Sequence, residues 1–292
     1  MKTNDHTLLM LLTLGLLVVA SPAKGTTAEV KPAPYVDIHF HADARTEGGG
    51  DLPNVAAWMK SNSVDRLIVL QFEKSMPQNE AEAKQIAENF KAYQGQIYRF
   101  TVLLAKDVPD KEAAVKTLKK MKEEGVIGFG EHYGRGLDFD DPKCMRLYAA
   151  CAEVGLPVLF HMDGQNNKDD DKLSHLENAL KTYPTCVFIG HGPGFWARMK
   201  TMDGLFASHK NLYADISAGS GAKAVSRDKA YSREFLVRHA DRVLFGTDGG
   251  PWSFGKAKPP HFELVKSLNL PADVHTKLCR ENAEKLFKLE HR

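Results

Sequence analysis

Tyr35-Val36-Asp37-Ile38-His39-Phe40-His41 opens the regular part of the chain and decides how the rest is read. Its β-branched and aromatic residues suit an extended strand. His39 and His41, two residues apart, then fall on one face of it, and the same parity puts Asp37 on that face one layer below. Seven further runs of this kind follow, at 66–72, 98–104, 126–131, 157–162, 185–191, 211–217 and 242–248. Amphipathic stretches lie between them at 79–93, 111–124, 143–154 and 172–183, and a closing helix is expected over 271–289. Strand alternating with helix implies a parallel sheet with helical crossovers. Eight such units in residues 26–292 favour an α/β fold closed as a single-domain (β/α)8 TIM barrel over an open doubly wound sheet. No glycine-rich turn follows the first strand in the dinucleotide-binding pattern, and Gly48-Gly49-Gly50 reads as a flexible loop.

The totals set the class. Of 292 residues 43% are hydrophobic and 26% charged, the composition of an ordinary globular protein with ample core. A formal net charge of +2 with no basic block argues against a nucleic-acid partner. Lys2, the apolar run 8–20 and then Ser21-Pro22-Ala23-Lys24-Gly25 follow the order of a cleavable secretory signal peptide. Residues 1–25 are therefore expected to be a signal peptide and short linker, cut after Ala20 or Ala23, with the mature chain periplasmic or extracellular. The run is shorter than the roughly 20 residues that cross a bilayer, so no stable membrane span is expected after processing. Cys144, Cys151, Cys186 and Cys279 permit disulfides in an exported chain. Cys144 and Cys151 fall seven positions apart on one expected helix, about 10.5 Å at 1.5 Å per residue, beyond disulfide reach. The four are expected to be buried thiols.

The chemistry sits at the strand ends. His39 and His41 end the first strand, His161 the fifth, His191 the sixth and Asp248 the eighth, each after an apolar run. In a barrel these C-terminal ends share one mouth, where barrel active sites lie. One strand-end histidine is ordinarily a hydrogen-bonded structural residue. Four imidazoles and a carboxylate crowded together without a cation would leave buried polar groups poorly satisfied. The donor set suits a divalent metal, zinc first, with manganese, iron or nickel as alternatives. On the fourth strand Ile127, Phe129 and Glu131 share parity, so a packed interior turns Glu131 inward and His132 out of register with it. Arg135, His132 and Trp252 are the candidates for substrate contact, Arg135 as a clamp for an anionic group and Trp252 as a pocket wall. Phe195 and Trp196 are further wall candidates. His175, His209, His239 and His275 read as surface or capping residues, and His261 is left undecided.

Asp37-Ile38-His39-Phe40-His41, Gly128-Phe129-Gly130-Glu131, Leu159-Phe160-His161, Ile189-Gly190-His191 and Leu244-Phe245-Gly246-Thr247-Asp248 occur in the order of the amidohydrolase superfamily's motifs. The closing Glu281-Asn282-Ala283-Glu284-Lys285-Leu286-Phe287 is similar to that superfamily's last helix. The chain most resembles the amidohydrolase-related, or amidohydrolase-2, branch. The resemblance implies a metal held by His39, His41, His161, His191 and Asp248, with Glu131 either bridging two ions in the manner of the two-metal members or, since members of this branch often hold one metal without that bridge, accepting a hydrogen bond from a ligand histidine. With two ions, His161 and His191 hold the second; with one, His191 orients water or substrate. Hydrolysis of an ester, lactone, amide or phosphoester is expected, by water activated on the metal, with Asp248 as general base. The same superfamily contains metal-dependent decarboxylases, the second expectation. A non-catalytic exported metal-binding protein is the third, and it would require loss of a catalytic residue, whereas Asp248 is present. A small-molecule substrate is implied, and homo-oligomer formation is left open.

Overall fold

β1 (Tyr35–His41) is buried along its whole length. It pairs in parallel with β2 (Val64–Leu70), and the sheet continues in sequence order through β3 (Ile97–Thr101), β4 (Val126–His132), β5 (Val158–His161), β6 (Phe188–His191), β7 (Leu212–Asp215) and β8 (Val243–Leu244). The computed structural model describes residues 34–289. The expected signal segment lies outside the described residues. The ring closes through the chain after β8. Ile38 N donates to Phe245 O at 3.1 Å, Asp248 N to His39 O at 2.8 Å and His41 N to Gly249 O at 2.7 Å. Eight parallel strands with alternating helices make residues 34–289 a TIM barrel.

The helices are α1 (Leu52–Asn62), α2 (Glu80–Lys91), α3 (Lys111–Glu123), α4 (Pro142–Val154), α5 (Ser174–Thr182), α6 (Pro193–Ala197), α7 (Met199–Ser208), α8 (Ala218–Arg227) and α9 (Lys229–Arg238). After β8 come α10 (His261–Ser267), α11 (Ala272–Thr276) and α12 (Asn282–Phe287). Local chemistry sets several boundaries. Asn79 and Asp110 accept from the third residue onward at the starts of α2 and α3, and Pro142 takes the first turn of α4. The single closing helix expected over 271–289 is present as continuous helix over 272–287, with a π-helical turn at Lys277–Glu281 joining α11 to α12.

Two apolar layers form. Tyr35, Phe40, Val69, Phe129, Phe160, Phe188 and Phe245 pack outward against the helices. Val36, Ile38, Ile68, Leu70, Phe100, Leu159, Ile189 and Leu244 fill the barrel, joined by Ala283, Phe287 and Leu289 of the C-terminal segment. Phe287 meets Phe100 with ring centroids 5.5 Å apart, so the segment up to Leu289 plugs the base and leaves the opposite mouth open. Buried Arg66 of β2 pairs with Glu284 of α12, which also accepts from Arg280 Nε at 2.7 Å. The four cysteines are free and buried.

Strand parity does not run as the sequence pattern suggests. On β1 Asp37 pairs with Leu67 and Phe40 with Val69, three steps against two, which is a bulge. Val36 and Ile38 therefore fill the interior below, while His39 and His41 still reach the mouth above it. Asp37 is not an inward residue one layer beneath His39. Its carboxylate accepts from Thr247 Oγ1 at 2.6 Å and from the backbone N–H groups of Thr247 and His39, each at 3.1 Å. It thus ties β1 to the turn that carries Asp248. Burial pushes its pKa up to about 7.

β4 repeats the irregularity, with Phe129 opposite Val158 and His132 opposite Phe160. Phe129 joins the outer layer although Ile127 packs against the inner one. Glu131 reaches the mouth through this slip and not through parity with Phe129.

Candidate metal centre

Four strand ends and the turn after β8 deliver side chains to one buried space. His39 Nε2 lies 3.6 Å from Glu131 Oε2 and 3.5 Å from Asp248 Oδ1. His41 Nε2 lies 3.4 Å from the same Glu131 oxygen and 3.1 Å from the same Asp248 oxygen. The other Glu131 oxygen, Oε1, is 2.8 Å from His161 Nδ1 and 3.6 Å from His191 Nε2. Glu131 thus turns one oxygen to the β1 histidines and the other to those of β5 and β6. Tyr133 donates its hydroxyl to Oε2 at 2.8 Å. His161 also meets Asp163 through Nε2 at 3.1 Å.

Asp215, at the end of β7, organises the imidazoles from behind. Its oxygens lie 2.8 Å from His39 Nδ1 and 3.1 Å from His191 Nδ1. A carboxylate only accepts, so both Nδ1 atoms carry the proton and both Nε2 lone pairs face the centre. Ser217 Oγ lies 2.9 Å from His191 Nδ1 and donates to Asp215. Gly246 lets the layers close, because a Cβ there would sit 3.0 Å from the Cβ atoms of both His39 and Ser217.

The electrostatics follow from that crowding. Burial opposes the charge on His39, yet Asp215, Asp248 and Glu131 raise its proton affinity well above the ordinary value. Burial likewise disfavours ionised Glu131, but His39 and the hydrogen bonds from His161 and His41 hold it well below the usual carboxylate range. Asp215 and Asp248 are shifted down for the same reason, burial being outweighed by the neighbouring imidazoles. A pocket that draws protons this strongly also attracts a divalent cation. His39 Nε2 is buried and has no hydrogen-bond partner. His39, Glu131 and His191 form one donor group of metal-binding dimensions, and His39, His41 and Asp248 form another. The residues fit a metal.

The remaining sequence candidates separate. Trp252 stands half-exposed at the mouth with its ring 5.9 Å from His41, and Phe72 stacks on His41 at 4.8 Å. Arg135 lies at the rim over the Tyr133 ring and pairs with Glu73, Nη2 to Oε2 at 2.7 Å. His132 does not line the mouth. It is fully buried in the helix layer against Phe129 and Tyr148, and burial lowers its pKa to about 4. Phe195 and Trp196 are likewise buried, although Trp196 Nε1 donates to Asp215 O at 2.9 Å. His239 caps the C-terminus of α9, one of the two roles expected for it, and is buried on Asp203.

Asp215, Ser217, Tyr133, Asp163 and Phe72 escaped the sequence reading. Asp215 alone had a usable signal, an acidic residue ending an apolar run in the same way as Asp248. The others hold positions in loops or just past strand ends that periodicity does not rank.

The amidohydrolase-2 family model matches residues 36–289. No curated protein matches the chain. Among solved structures, the manganese complex of 5-carboxyvanillate decarboxylase from Novosphingobium aromaticivorans superposes with a TM-score of 0.62 at 14% identity, covering 88% of this chain and 97% of its own. A probable 2-pyrone-4,6-dicarboxylic acid hydrolase from Acinetobacter baumannii gives 0.60 at 10% identity, covering 87% and 99%. A zinc-bound amidohydrolase from Burkholderia multivorans gives 0.58 at 14%, covering 88% and 100%. At these identities the likeness is one of fold. The family match covers nearly every described residue, and the chain belongs to the amidohydrolase-2 family.

Proposed function

We propose that the chain is a metal-dependent hydrolase that cleaves an ester, lactone, amide or phosphoester bond of a small molecule at the barrel mouth. The observation that carries this reading is the division of Glu131, one oxygen toward His39 and His41 and the other toward His161 and His191. A carboxylate so placed suits a bridge between two ions. His39, His41 and Asp248 would hold the first ion and His161 and His191 the second. Zinc suits this imidazole and carboxylate set, as do manganese, iron and nickel.

A bound divalent ion supplies Lewis acidity, making water a stronger acid and polarising a substrate carbonyl or phosphoryl oxygen. Asp248 takes the proton of the attacking water and passes it to the leaving group. It has the access this role needs, with 27% of its side chain exposed and Oδ1 3.1 Å from His41 Nε2. It also has the charge state, since the imidazoles, outweighing burial, hold it ionised. Asp215 and Ser217 keep His39 and His191 in one tautomer. Phe72 and Trp252 wall one side of the mouth and exclude water there. Arg135 can exchange Glu73 for an anionic group on the substrate.

A single-ion decarboxylase is the second reading. It is favoured by one observation: the two donor groups share His39, and neither includes His161. Two measurements separate the readings. Zinc-loaded protein should hydrolyse members of an ester, lactone, amide and phosphoester panel, and Glu131→Ala should lower zinc stoichiometry from two ions to one. Release of carbon dioxide from a carboxylic acid, with one ion per chain and no hydrolysis, would replace the first reading by the second.

A further inference from the structure

His261 takes no part in the metal centre itself, yet it is only 4% exposed. It begins α10, and the next residue, Phe262, locks that helix against Tyr35 and Phe245 with ring centroids at 4.8 and 5.0 Å. His261 Nε2 lies 2.9 Å from the carbonyl oxygen of Ala218. A carbonyl only accepts, so Nε2 carries the proton, and the buried Nδ1 is left without a partner. Burial lowers the pKa of this imidazole, in keeping with a neutral ring that donates through Nε2.

The residue it grips is unusual. Ala218 has φ +56°, a left-handed conformation that non-glycine residues keep only when their surroundings impose it. Immediately before it stands Ser217, whose hydroxyl lies 3.1 Å from His39 Nδ1 and 2.9 Å from His191 Nδ1, and whose backbone N–H donates to Asp215 Oδ1 at 2.9 Å. The turn at 217–218 therefore stands between α10 and the groups that orient two metal-facing imidazoles.

We propose that His261 is a positioning residue for the metal centre: by donating to the Ala218 carbonyl it holds the left-handed turn that sets Ser217 and Asp215 against His39 and His191. The inference rests on the metal-site reading above. Loss of the donor frees the turn, loosens the imidazoles and weakens metal binding without removing any ligand. Outer groups of this kind typically change metal affinity by about 10–100-fold.

The test measures zinc dissociation constants by competition with a chromogenic chelator, together with the melting temperature of the metal-free protein. H261F should weaken zinc binding about tenfold or more, whereas H261Q, whose amide can reach Ala218, should stay within about threefold of the parent. Should H261F fail to fold, H261N answers the same question, because its shorter amide falls short of Ala218; it should lose affinity where H261Q keeps it. Equal zinc affinity in the parent, H261F and H261N, with only the melting temperature lowered, would make His261 a structural residue and overturn the proposal. Absence of zinc binding by the parent chain would instead overturn the metal-site reading.

Discussion

Asp215 ends β7 and Asp248 lies in the turn after β8, and the two do different work. Asp215 is fully buried and spends both oxygens on imidazoles, whereas Asp248 keeps part of its carboxylate open to the mouth. Asp248→Asn should therefore leave the circular dichroism spectrum unchanged and lower turnover by roughly 10²–10⁴-fold, the range expected for loss of a general base. A variant with parental activity on an identified substrate would contradict the role. Asp215→Asn should act on the metal first, lowering zinc affinity by about 10–100-fold in the same chelator competition, because the amide no longer fixes both Nδ1 protons. Unchanged affinity would show that Ser217 alone suffices. At this scale the chain was partly legible. His39, His41, His161, His191 and Asp248 announce themselves by ending apolar runs. His132 misled because a buried histidine with no polar partner looks the same in sequence as one lining a pocket.

Elements decide where those residues point, and here the period-two rule misplaces two strands. β1 and β4 each carry a bulge within three residues of a metal-facing side chain, which re-aims the strand end without disturbing the packed layer below. Apolar alternation shows that a strand exists, yet an extra residue in the ladder leaves no mark on that alternation, so parity alone puts Asp37 and Phe129 on the wrong face. β8 is two residues long because the chain beyond it bonds to β1 through isolated contacts and opens into the Asp248 turn. α12 belongs to the same scale. Its Glu284 sits beneath the barrel on Arg66, and removing the arginine leaves a buried carboxylate with only Arg280 to answer it. Arg66→Ala should cost about 3 kcal/mol in urea unfolding, most of it recovered in the Arg66→Met/Glu284→Leu double variant. Equal losses in both would place the stability in packing and not in charge.

Residues 34–289 form a ring of eight strands plugged at its base by Ala283, Phe287 and Leu289, with the metal-facing groups at the opposite end. That architecture was the most legible feature, since eight strand runs separated by helical periods leave few alternatives. The plug was not, because Phe287 and Leu289 read equally well as one face of an ordinary closing helix. Among the described residues no helix is long and apolar enough to cross a membrane. Export remains a proposal drawn from residues 1–25: N-terminal sequencing of secreted protein should begin after Ala20 or Ala23, and retention of Met1 would contradict it. Metal should couple to the stability of the whole ring, since a ligand bound only by the folded state at one hundred times its dissociation constant adds about 2.7 kcal/mol. Chelation should lower the melting temperature accordingly, and a melting temperature indifferent to chelator would argue against ligands drawn from distant strands. The most direct measurement is the metal content of protein purified without chelator, read by elemental mass spectrometry. It should find about two zinc or manganese equivalents per chain, falling sharply in His39→Ala. Fewer than about half an equivalent, even after loading with zinc or manganese, would contradict the metal centre itself.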